Sequence, residues 1–339
     1  MSRRDARVRV IGFWQDRRAV VTGAGGFIGS HLVERLVELG AEVTAFVRYN
    51  SRNEAGLLEA TGLERAVRVV PGDITELATV RKVVEGTDTV LHLAALVGIP
   101  YSYVHPSEVV DVNTIGTLNV LIAARESDAR RVVVTSTSEV YGSARYTPMD
   151  EEHPRQPQSP YAASKIAADA LALSFHRSFD LPVAVLRPFN TYGPRQSDRA
   201  IIPTVISQAL SGAEEIVLGN LAPRRDLTFV SDTVEGFVRI AESDAAVGLE
   251  VNLGSGGSVS IGELAKRIVS LVGRDVPIRQ AEDRVRPAAS EVVDLVADTA
   301  RARELLGWEP EVGLDEGLMR TIEWVRSNPG LYDPASYRI

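Results

Sequence analysis

The run Ala19-Val20-Val21-Thr22-Gly23-Ala24-Gly25-Gly26-Phe27-Ile28-Gly29-Ser30 decides the fold of this 339-residue chain. An apolar strand ends in a glycine cluster, and the cluster opens a helix whose apolar residues recur at helical spacing as far as the stop signal at Gly40. Gly23, Gly26 and Gly29 allow, between them, a tight turn, a close approach of a pyrophosphate and close packing of the helix on the sheet. The pattern predicts a dinucleotide site at the N-terminus of this helix, and the alternative is a glycine-rich turn that binds nothing.

Composition excludes several classes of function. Hydrophobic residues make up 45% and charged residues 24% of the chain, as in ordinary globular proteins. The net charge of −8 argues against nucleic acid as a partner, and the absence of cysteine excludes disulfides, thiolate metal sites and cysteine nucleophiles. Five histidines without paired spacing predict no metal site. Without a membrane-length apolar run or a signal peptide, the chain is expected to be cytoplasmic, with no membrane partner.

The rest of the chain alternates strands with helices, which predicts an α/β fold: a Rossmann-type doubly wound parallel sheet with a smaller C-terminal α/β substrate-binding lobe. We expect the main strands at 18–22, 42–47, 66–70, 89–95, 131–136, 182–188 and 249–253. A long helix is expected at 106–127. We expect residues 1–190, with 227–254 returning, to form the dinucleotide-binding domain, and residues 191–226 and 255–339 to form the smaller lobe.

The end of the second strand bears on the choice of cofactor. Dinucleotide-binding proteins often carry an acid there for the ribose hydroxyl, whereas this chain has Arg48, Ser51 and Arg52. These residues suit a 2′-phosphate, so we expect NADP or NAD with a preference for NADP; alternatively, the arginines face solvent. The predicted cofactor contacts are Gly23, Gly26, Phe27, Ile28, Gly29, Arg48, Ser51, Arg52, Asp73, Ile74, Leu93, Ala94, Ala95, Asn113, Tyr161, Lys165 and Pro188.

A tyrosine and a lysine at helical spacing predict a general base. Ser159 is a natural N-cap and Pro160 a natural first helical residue, so Tyr161 and Lys165 lie four apart on one helical face. An ammonium beside a phenol lowers the pKa of the phenol, which would allow Tyr161 to take a proton from a sugar hydroxyl. Asn113 is either a satisfied structural amide or a group that positions Lys165 through water, and His92 is expected to be a core histidine.

These motifs carry a resemblance over nearly the whole length. The sequence resembles the extended short-chain dehydrogenase/reductase family, specifically its nucleotide-sugar dehydratases and epimerases, in the glycine motif, the Tyr161/Lys165 pair, residues 190–194 and residues 306–310. The stretch Thr135-Ser136-Thr137-Ser138-Glu139-Val140-Tyr141-Gly142 discriminates best, because epimerases of the family usually lack the Glu. Residues 189–197, 286–287 and 290–292 are most similar to NDP-N-acetylglucosamine 4,6-dehydratases of the legionaminic-acid type.

The resemblance implies a mechanism and its catalytic residues. Tyr161 and Lys165 would serve oxidation at C4, Thr137 would hydrogen-bond O4, and Glu139 would abstract the C5 proton before the C6 hydroxyl leaves. The cofactor would be tightly held and regenerated in each turnover. Ser138 stands where many dTDP-glucose dehydratases have Asp, which leaves the proton donor open; Glu139 could act as both base and acid.

The resemblance also implies the substrate contacts and the assembly. The diphosphate is expected at Asn190, Arg225 and Arg286, the base at Ile202 and Pro203, and the hexose at Val97 and Gly98, where the glycine leaves room for an N-acetyl group. A homodimer is expected, and Leu171, Leu173 and Phe175 could belong either to its interface or to the core. The alternatives are a 4-epimerase, a 5,6-dehydratase and a non-catalytic NADP-sensing protein.

Overall fold

Parallel strands form the central sheet in the computed structural model, which describes residues 12–281 and 292–333. The strands are β1 (Arg18–Thr22), β2 (Glu42–Arg48), β3 (Arg68–Gly72), β4 (Thr89–His92), β5 (Arg131–Thr135), β6 (Val183–Pro188), β7 (Asn190–Tyr192), β8 (Ile216–Leu218), β9 (Arg224–Arg225), β10 (Leu227–Phe229), β11 (Glu250–Leu253), β12 (Val259–Ser260), β13 (Ile278–Gln280) and β14 (Asp294–Leu295). The helices are α1 (Phe27–Glu38), α2 (Leu57–Thr61), α3 (Leu77–Val84), α4 (Ile99–Val104), α5 (Pro106–Val110), α6 (Gly116–Glu126), α7 (Pro160–Phe179), α8 (Ile201–Leu210), α9 (Val230–Glu242), α10 (Ile261–Val272), α11 (Ala300–Leu306) and α12 (Leu314–Ser327).

The seven strands of the main sheet lie in the order β11-β6-β5-β4-β1-β2-β3, and each neighbouring pair is parallel. The strand order reverses between β1 and β4, where Thr22 is paired with His92. Ligands of doubly wound sheets bind in the crevice outside the carboxyl ends of the strands at such a reversal. The fold class predicted from the sequence is therefore confirmed. A ligand site is expected in the crevice beyond β1 and β4.

Both faces of the sheet are covered, because successive strand residues point to opposite sides. Val21 and Val133 belong to the cluster on the side of α1 and α9. Val20 and Val132 belong to a second cluster that includes buried residues of α3, α6 and α7. Helices on both sides explain why these strands are continuous apolar runs.

Two predicted boundaries are wrong by a few residues. The third strand runs from Arg68 to Gly72 rather than over 66–70, and the fourth ends at His92 rather than at 95. After His92 the next two backbone N–H groups donate to the Thr22 hydroxyl, so the chain leaves the sheet there. The predicted helix at 106–127 is α5, a π-helical turn at Asp111–Ile115 and then α6.

The hydrophobic face of α7 packs within its own subunit. Leu173 and Phe175 are buried, and Leu171 packs against the same cluster, so these residues give no support to a dimer interface. Within the described ranges, none of the helices combines the length and the apolar character needed to cross a membrane.

Smaller sheets follow β6. They are β10-β7, β12-β9-β14 and β13-β8, and α8 packs against α10 and α12 among them. Asn190 begins β7 only two residues after the end of β6, so the side chains of this region lie next to the carboxyl edge of the main sheet.

Candidate active site

The glycine turn after β1 has the shape that a bound pyrophosphate needs. Gly23 has a φ of +70°, and a Cβ placed on Gly29 would lie 2.2 Å from the Gly23 carbonyl oxygen, so α1 packs directly on the turn. Gly26 is the N-cap of α1 and supplies no side-chain cap. The first N–H groups of this 12-residue helix therefore face outward without a side-chain partner at the cap, and they are suited to bind an anion.

The arginines at the end of β2 are exposed and paired with acids. Arg48 lies 3.7 Å from a carboxylate oxygen of Glu108 on α5, and Arg52 lies 3.5 Å from Glu54. Their side chains are 74% and 80% exposed, so the pairs contribute little to stability and leave both guanidinium groups able to reach a ligand. The sequence did not predict that α5 brings an acid to this strand end, since Glu108 is 60 residues further along the chain.

The turn after β3 is fixed by hydrogen bonds. Asp73 accepts from the backbone N–H and the hydroxyl of Thr75, at 2.9 and 2.8 Å. Asn119 on α6 donates to the carbonyl oxygens of Ile74 and Thr75. Gly116 on the same helix lies so close that a Cβ there would be 2.8 Å from the Ile74 side chain. The predicted cofactor contacts Asp73 and Ile74 therefore lie on a rigid turn.

His92 at the end of β4 is a core residue. Thr117 donates its single hydroxyl proton to the Asn113 carbonyl at 2.6 Å, so it accepts from Nε2–H of His92 at 3.0 Å. Nδ1 of His92 then accepts from the Thr22 hydroxyl at 2.8 Å. Burial lowers the pKa of His92 to about 3, so the ring is neutral and fixed in one tautomer.

Asn113 joins the loop after β4 to α7. Its Oδ1 accepts from the backbone N–H of Leu96 at 2.8 Å, and its Nδ2 donates to the Leu96 carbonyl and to the Ser164 hydroxyl, each at 3.0 Å. The residue sits in the π-helical turn, a feature that is frequent at functional sites. Both amide hydrogens bond protein atoms, which favours the alternative that Asn113 is a satisfied structural amide. Its bond to Ser164 lies one residue before Lys165.

Tyr161, Thr137 and Glu139 converge beyond the carboxyl end of β5. Ser159 caps α7 by accepting from the N–H of Ala162 at 3.1 Å, which fixes the first turn of that helix and with it Tyr161. The Tyr161 hydroxyl hydrogen-bonds the Thr137 side chain, and the Thr137 hydroxyl also accepts from the backbone N–H of Glu139 at 3.3 Å. The Glu139 carboxylate is close enough for its charge to act on Tyr161.

The electrostatics of Tyr161 correct one prediction. Lys165 was expected to lower the pKa of the phenol; burial instead raises the pKa of Tyr161 strongly, and the charges of Glu139 and Asp169 raise it further, against the Thr137 hydrogen bond. Burial also lowers the pKa of Lys165, which Asp169 opposes. The cause is desolvation, which disfavours a phenolate more than the surrounding protein groups favour it. A phenolate therefore needs more positive charge than the protein alone provides.

Asn190 offers an unpaired donor at the start of β7. Its Nδ2 is buried and finds no hydrogen-bond partner among the described residues, although its backbone N–H donates to the Asp226 carbonyl at 3.2 Å. Buried amide groups are rarely left unpaired, so a ligand oxygen is a fitting partner. Arg225 on β9 precedes Asp226 in the sequence; it is half-buried and donates to the carbonyl oxygens of Arg224 and Val292.

The remaining predicted substrate residues are spread over three segments. Val97 is 68% exposed just before α4, and a Cβ on Gly98 would lie 3.1 Å from that of Tyr101. Ile202 and Pro203 are buried in the first turn of α8. Arg286 lies outside the described residues.

Known nucleotide-sugar enzymes are similar to this chain in sequence and in fold. The family model for GDP-mannose 4,6 dehydratase matches residues 20–321. The dTDP-glucose 4,6-dehydratase of Streptomyces niveus is 34% identical over 330 residues, which cover 94% of this chain and 95% of the relative. A UDP-glucose 4-epimerase of Mycolicibacterium smegmatis is 35% identical over 319 residues, covering 91% of this chain and 99% of the relative. The crystal structure of the dTDP-glucose 4,6-dehydratase DesIV from Streptomyces venezuelae with NAD bound superposes with a TM-score of 0.86 at 30% identity, covering 94% of this chain and all of that one.

Proposed function

The chain belongs to the GDP-mannose 4,6-dehydratase family of NAD(P)-dependent nucleotide-sugar enzymes. From this premise we propose that it is an NDP-hexose 4,6-dehydratase, which is a carbon–oxygen lyase. Its proposed substrate is an NDP-N-acetylglucosamine. The observation that carries the proposal is that the Glu139 carboxylate lies near enough to Tyr161 for its charge to act on the phenol, in the turn whose backbone N–H donates to Thr137. A 4-epimerase needs a base for the C4 hydroxyl but has no task for a carboxylate as a second base. A dehydratase needs both, because it also removes the proton at C5.

Tyr161 and Glu139 carry out different proton transfers of the proposed reaction. Bound NAD(P) supplies a hydride acceptor at C4 and a hydride donor at C6. Tyr161 takes the O4 proton, with Thr137 bonded to its hydroxyl. Lys165, one helical turn along α7, would add positive charge. The C4 ketone makes the C5 proton acidic, and Glu139 takes that proton. Ser138 is nearly fully buried and no acid, so protonated Glu139 passes its proton to the leaving C6 hydroxyl.

The proton count closes without an external acid. The C5 proton leaves in the water molecule, and the proton from O4, held by Tyr161, replaces it at C5. The product is a 4-keto-6-deoxy sugar, with no net oxidation or reduction. Glu139, ionised again once water has left, carries this proton from Tyr161 to C5 in each turnover, which fits a carboxylate near enough for its charge to act on Tyr161.

We further propose the cofactor and substrate contacts that the resemblance implies. The open N-terminus of α1 at Gly26 fits a pyrophosphate of NAD(P), and the unpaired amide of Asn190 fits the diphosphate of the sugar nucleotide, with Arg225 beside it. Ile202 and Pro203 would face the base. The proposed division of the chain is the predicted one, a cofactor domain of residues 1–190 with 227–254 and a substrate lobe from the rest, assembled as a homodimer.

The mass of the product tests the proposed function. We expect the protein, incubated with UDP-, GDP-, CDP- and dTDP-linked N-acetylglucosamine and glucose, to convert one N-acetylglucosamine nucleotide to a product lighter by one water. The product should carry a C4 ketone by NMR; a 5,6-alkene without the ketone would identify a 5,6-dehydratase. Unchanged mass with inverted configuration at C4 would establish an epimerase and reject dehydration.

The arginines at the end of β2 give a prediction about the cofactor. Arg48→Ala and Arg52→Ala are each expected to weaken NADP binding by roughly 10- to 100-fold, the worth of one charge-assisted hydrogen bond, and to leave NAD binding unchanged. Calorimetric titration of each variant with both cofactors measures this. Arg65→Ala is the matched control, since its side chain is also exposed and paired with a glutamate. Equal losses for NAD and NADP would show that the arginines do not read a 2′-phosphate.

A further inference from the structure

A buried carboxylate lies on the same helical face as the catalytic pair. Asp169 follows Lys165 by four residues and Tyr161 by eight on α7, and it is fully buried. Its Oδ2 accepts from the Ser136 hydroxyl at 2.7 Å and from the Arg187 guanidinium at 2.9 Å. Its Oδ1 is buried and has no hydrogen-bond partner in the described part of the chain. The reaction outlined above gives this carboxylate no task.

Asp169 belongs to a chain of charges that reaches the surface. Arg187 on β6 is fully buried, and it bonds Asp169, the Tyr141 hydroxyl and Glu250 at 2.9, 2.5 and 2.8 Å. Glu250 on β11 in turn holds Arg155, which is partly exposed. Positive and negative groups alternate from Arg155 inward to Asp169. The inner end of this network lies beside two strand ends of the site, because Ser136 precedes Thr137 and Arg187 precedes Pro188.

We propose that Asp169 is a positioning residue for catalysis: it supplies the negative charge that keeps the buried Lys165 ammonium in place beside Tyr161, and it ties the strand end carrying Thr137 to α7. The proposal rests on the proposed function in one respect, that Tyr161 and Lys165 form the base. Arg187 pairs with Asp169 inside the protein, so the buried carboxylate has a partner of opposite charge.

No other described group fills this role at Lys165. A buried ammonium needs an opposite charge to stay ionised. The charge of Lys165 also acts on His92 of β4, which is neutral and therefore supplies no opposite charge. The charge of Glu139, after β5, acts on Tyr161, while Arg187 on β6 pairs with Asp169 and with Glu250 of β11. Burial lowers the pKa of Lys165, and the charge of Asp169 is what raises it.

The chain has three lysines, which makes a direct test practical. Lys82 and Lys266 are exposed and serve as internal references for Lys165 in ¹⁵N-lysine-labelled protein. In the isosteric Asp169→Asn variant, we expect NMR titration to show the pKa of Lys165 lowered by about one unit or more, with the other two lysines unchanged. Loss of a negative charge lowers the pKa of Tyr161 as well. Both limbs of the pH profile of kcat should therefore move to lower pH.

Two further variants keep the proposal open to refutation. Ser136→Ala removes a hydrogen bond to Asp169 but no charge, so it should leave both limbs and the Lys165 titration in place. Arg187→Gln leaves the buried Asp169 carboxylate without its positive partner, and an unpaired buried carboxylate neutralises. The pKa of Lys165 should therefore fall as it does in Asp169→Asn, and this variant gives a second test if Asp169→Asn does not fold. A folded Asp169→Asn or Arg187→Gln protein with an unmoved Lys165 titration would overturn the proposal. Because the titration needs no turnover, absence of dehydration in the wild-type protein would reject the proposed function alone.

Discussion

The Glu139→Gln variant is expected to lose the release of water from the substrate by about 10²- to 10⁴-fold, the usual worth of a positioned general base, while it keeps oxidation at C4. Glutamine has the shape of glutamate but cannot take the C5 proton. The Tyr161 hydroxyl, Thr137 and Lys165 are untouched by the change, so the first step remains possible. The backbone N–H of residue 139 still donates to Thr137, which preserves the local turn.

Two measurements separate the steps in this variant. Mass spectrometry follows the loss of water, and the absorbance of the reduced nicotinamide follows hydride removal from C4. We expect reduced cofactor to accumulate in Glu139→Gln and not in the parent, because the parent returns the hydride to C6. Glu152→Gln is the matched control, since Glu152 is an exposed glutamate paired with Arg301, and it should behave as the parent does.

The role of Ser138 is tested in the same assay. If protonated Glu139 is the acid for the leaving hydroxyl, Ser138→Ala should cost much less than Glu139→Gln. A loss as large as that of Glu139→Gln would assign the proton donor to a group that depends on Ser138. Dehydration by Glu139→Gln at the parental rate would remove Glu139 from the mechanism.

The sheet and the position of the crevice could be predicted because their signals are local. The glycine turn, the apolar runs and the capped start of α7 are each written within a dozen consecutive residues. The rule that ligands bind beyond the carboxyl ends of parallel strands then brought Thr137 and Glu139 together with Tyr161. No distance along the chain had to be known for that step.

The electrostatics could not be predicted in the same way, because they depend on partners far apart in the sequence. The pKa of Tyr161 is set mainly by its burial, which arises only when α4, α5 and the strand ends close around it. Asp169 meets Arg187 across 18 residues, and Arg187 meets Glu250 across 63. A motif such as Tyr-x-x-x-Lys identifies two residues but does not show the surrounding charges that decide their protonation.

The predicted end of the fourth strand was wrong for a related reason. The strand residues after His92 are as apolar as those before, so the sequence continues the pattern. The chain leaves the sheet because the Thr22 hydroxyl accepts the two following N–H groups, a contact made across about 70 residues. Side-chain hydrogen bonds of this kind end an element without leaving a mark in its own sequence.

The Tyr161→Phe variant is expected to lose both steps together, with turnover reduced on the order of 10³- to 10⁴-fold. The O4 proton has no acceptor in this variant, so the C4 ketone does not form and the C5 proton stays non-acidic. Unlike Glu139→Gln, it should therefore accumulate no reduced nicotinamide and release no water. Phenylalanine fills nearly the same volume in this buried position, so the melting temperature should change little. Tyr146→Phe, at an exposed tyrosine bonded to Asp150, is the control and should keep parental activity.

The order in which C4 oxidation and water loss are blocked discriminates better than the size of either loss. If Tyr161 acts first and Glu139 second, the double variant should match Tyr161→Phe alone, because a blocked first step hides the second. Reduced cofactor formed at the parental rate by Tyr161→Phe would show that another group accepts the O4 proton. The pKa of Tyr161 is raised in the protein without ligands. The phenol should therefore give up its proton only when cofactor and substrate are bound. We expect the acid limb of the pH profile of kcat to lie well below the pKa of Tyr161 in the free protein. An acid limb at the pKa of the free protein would mean that the ligands contribute no charge to the phenolate.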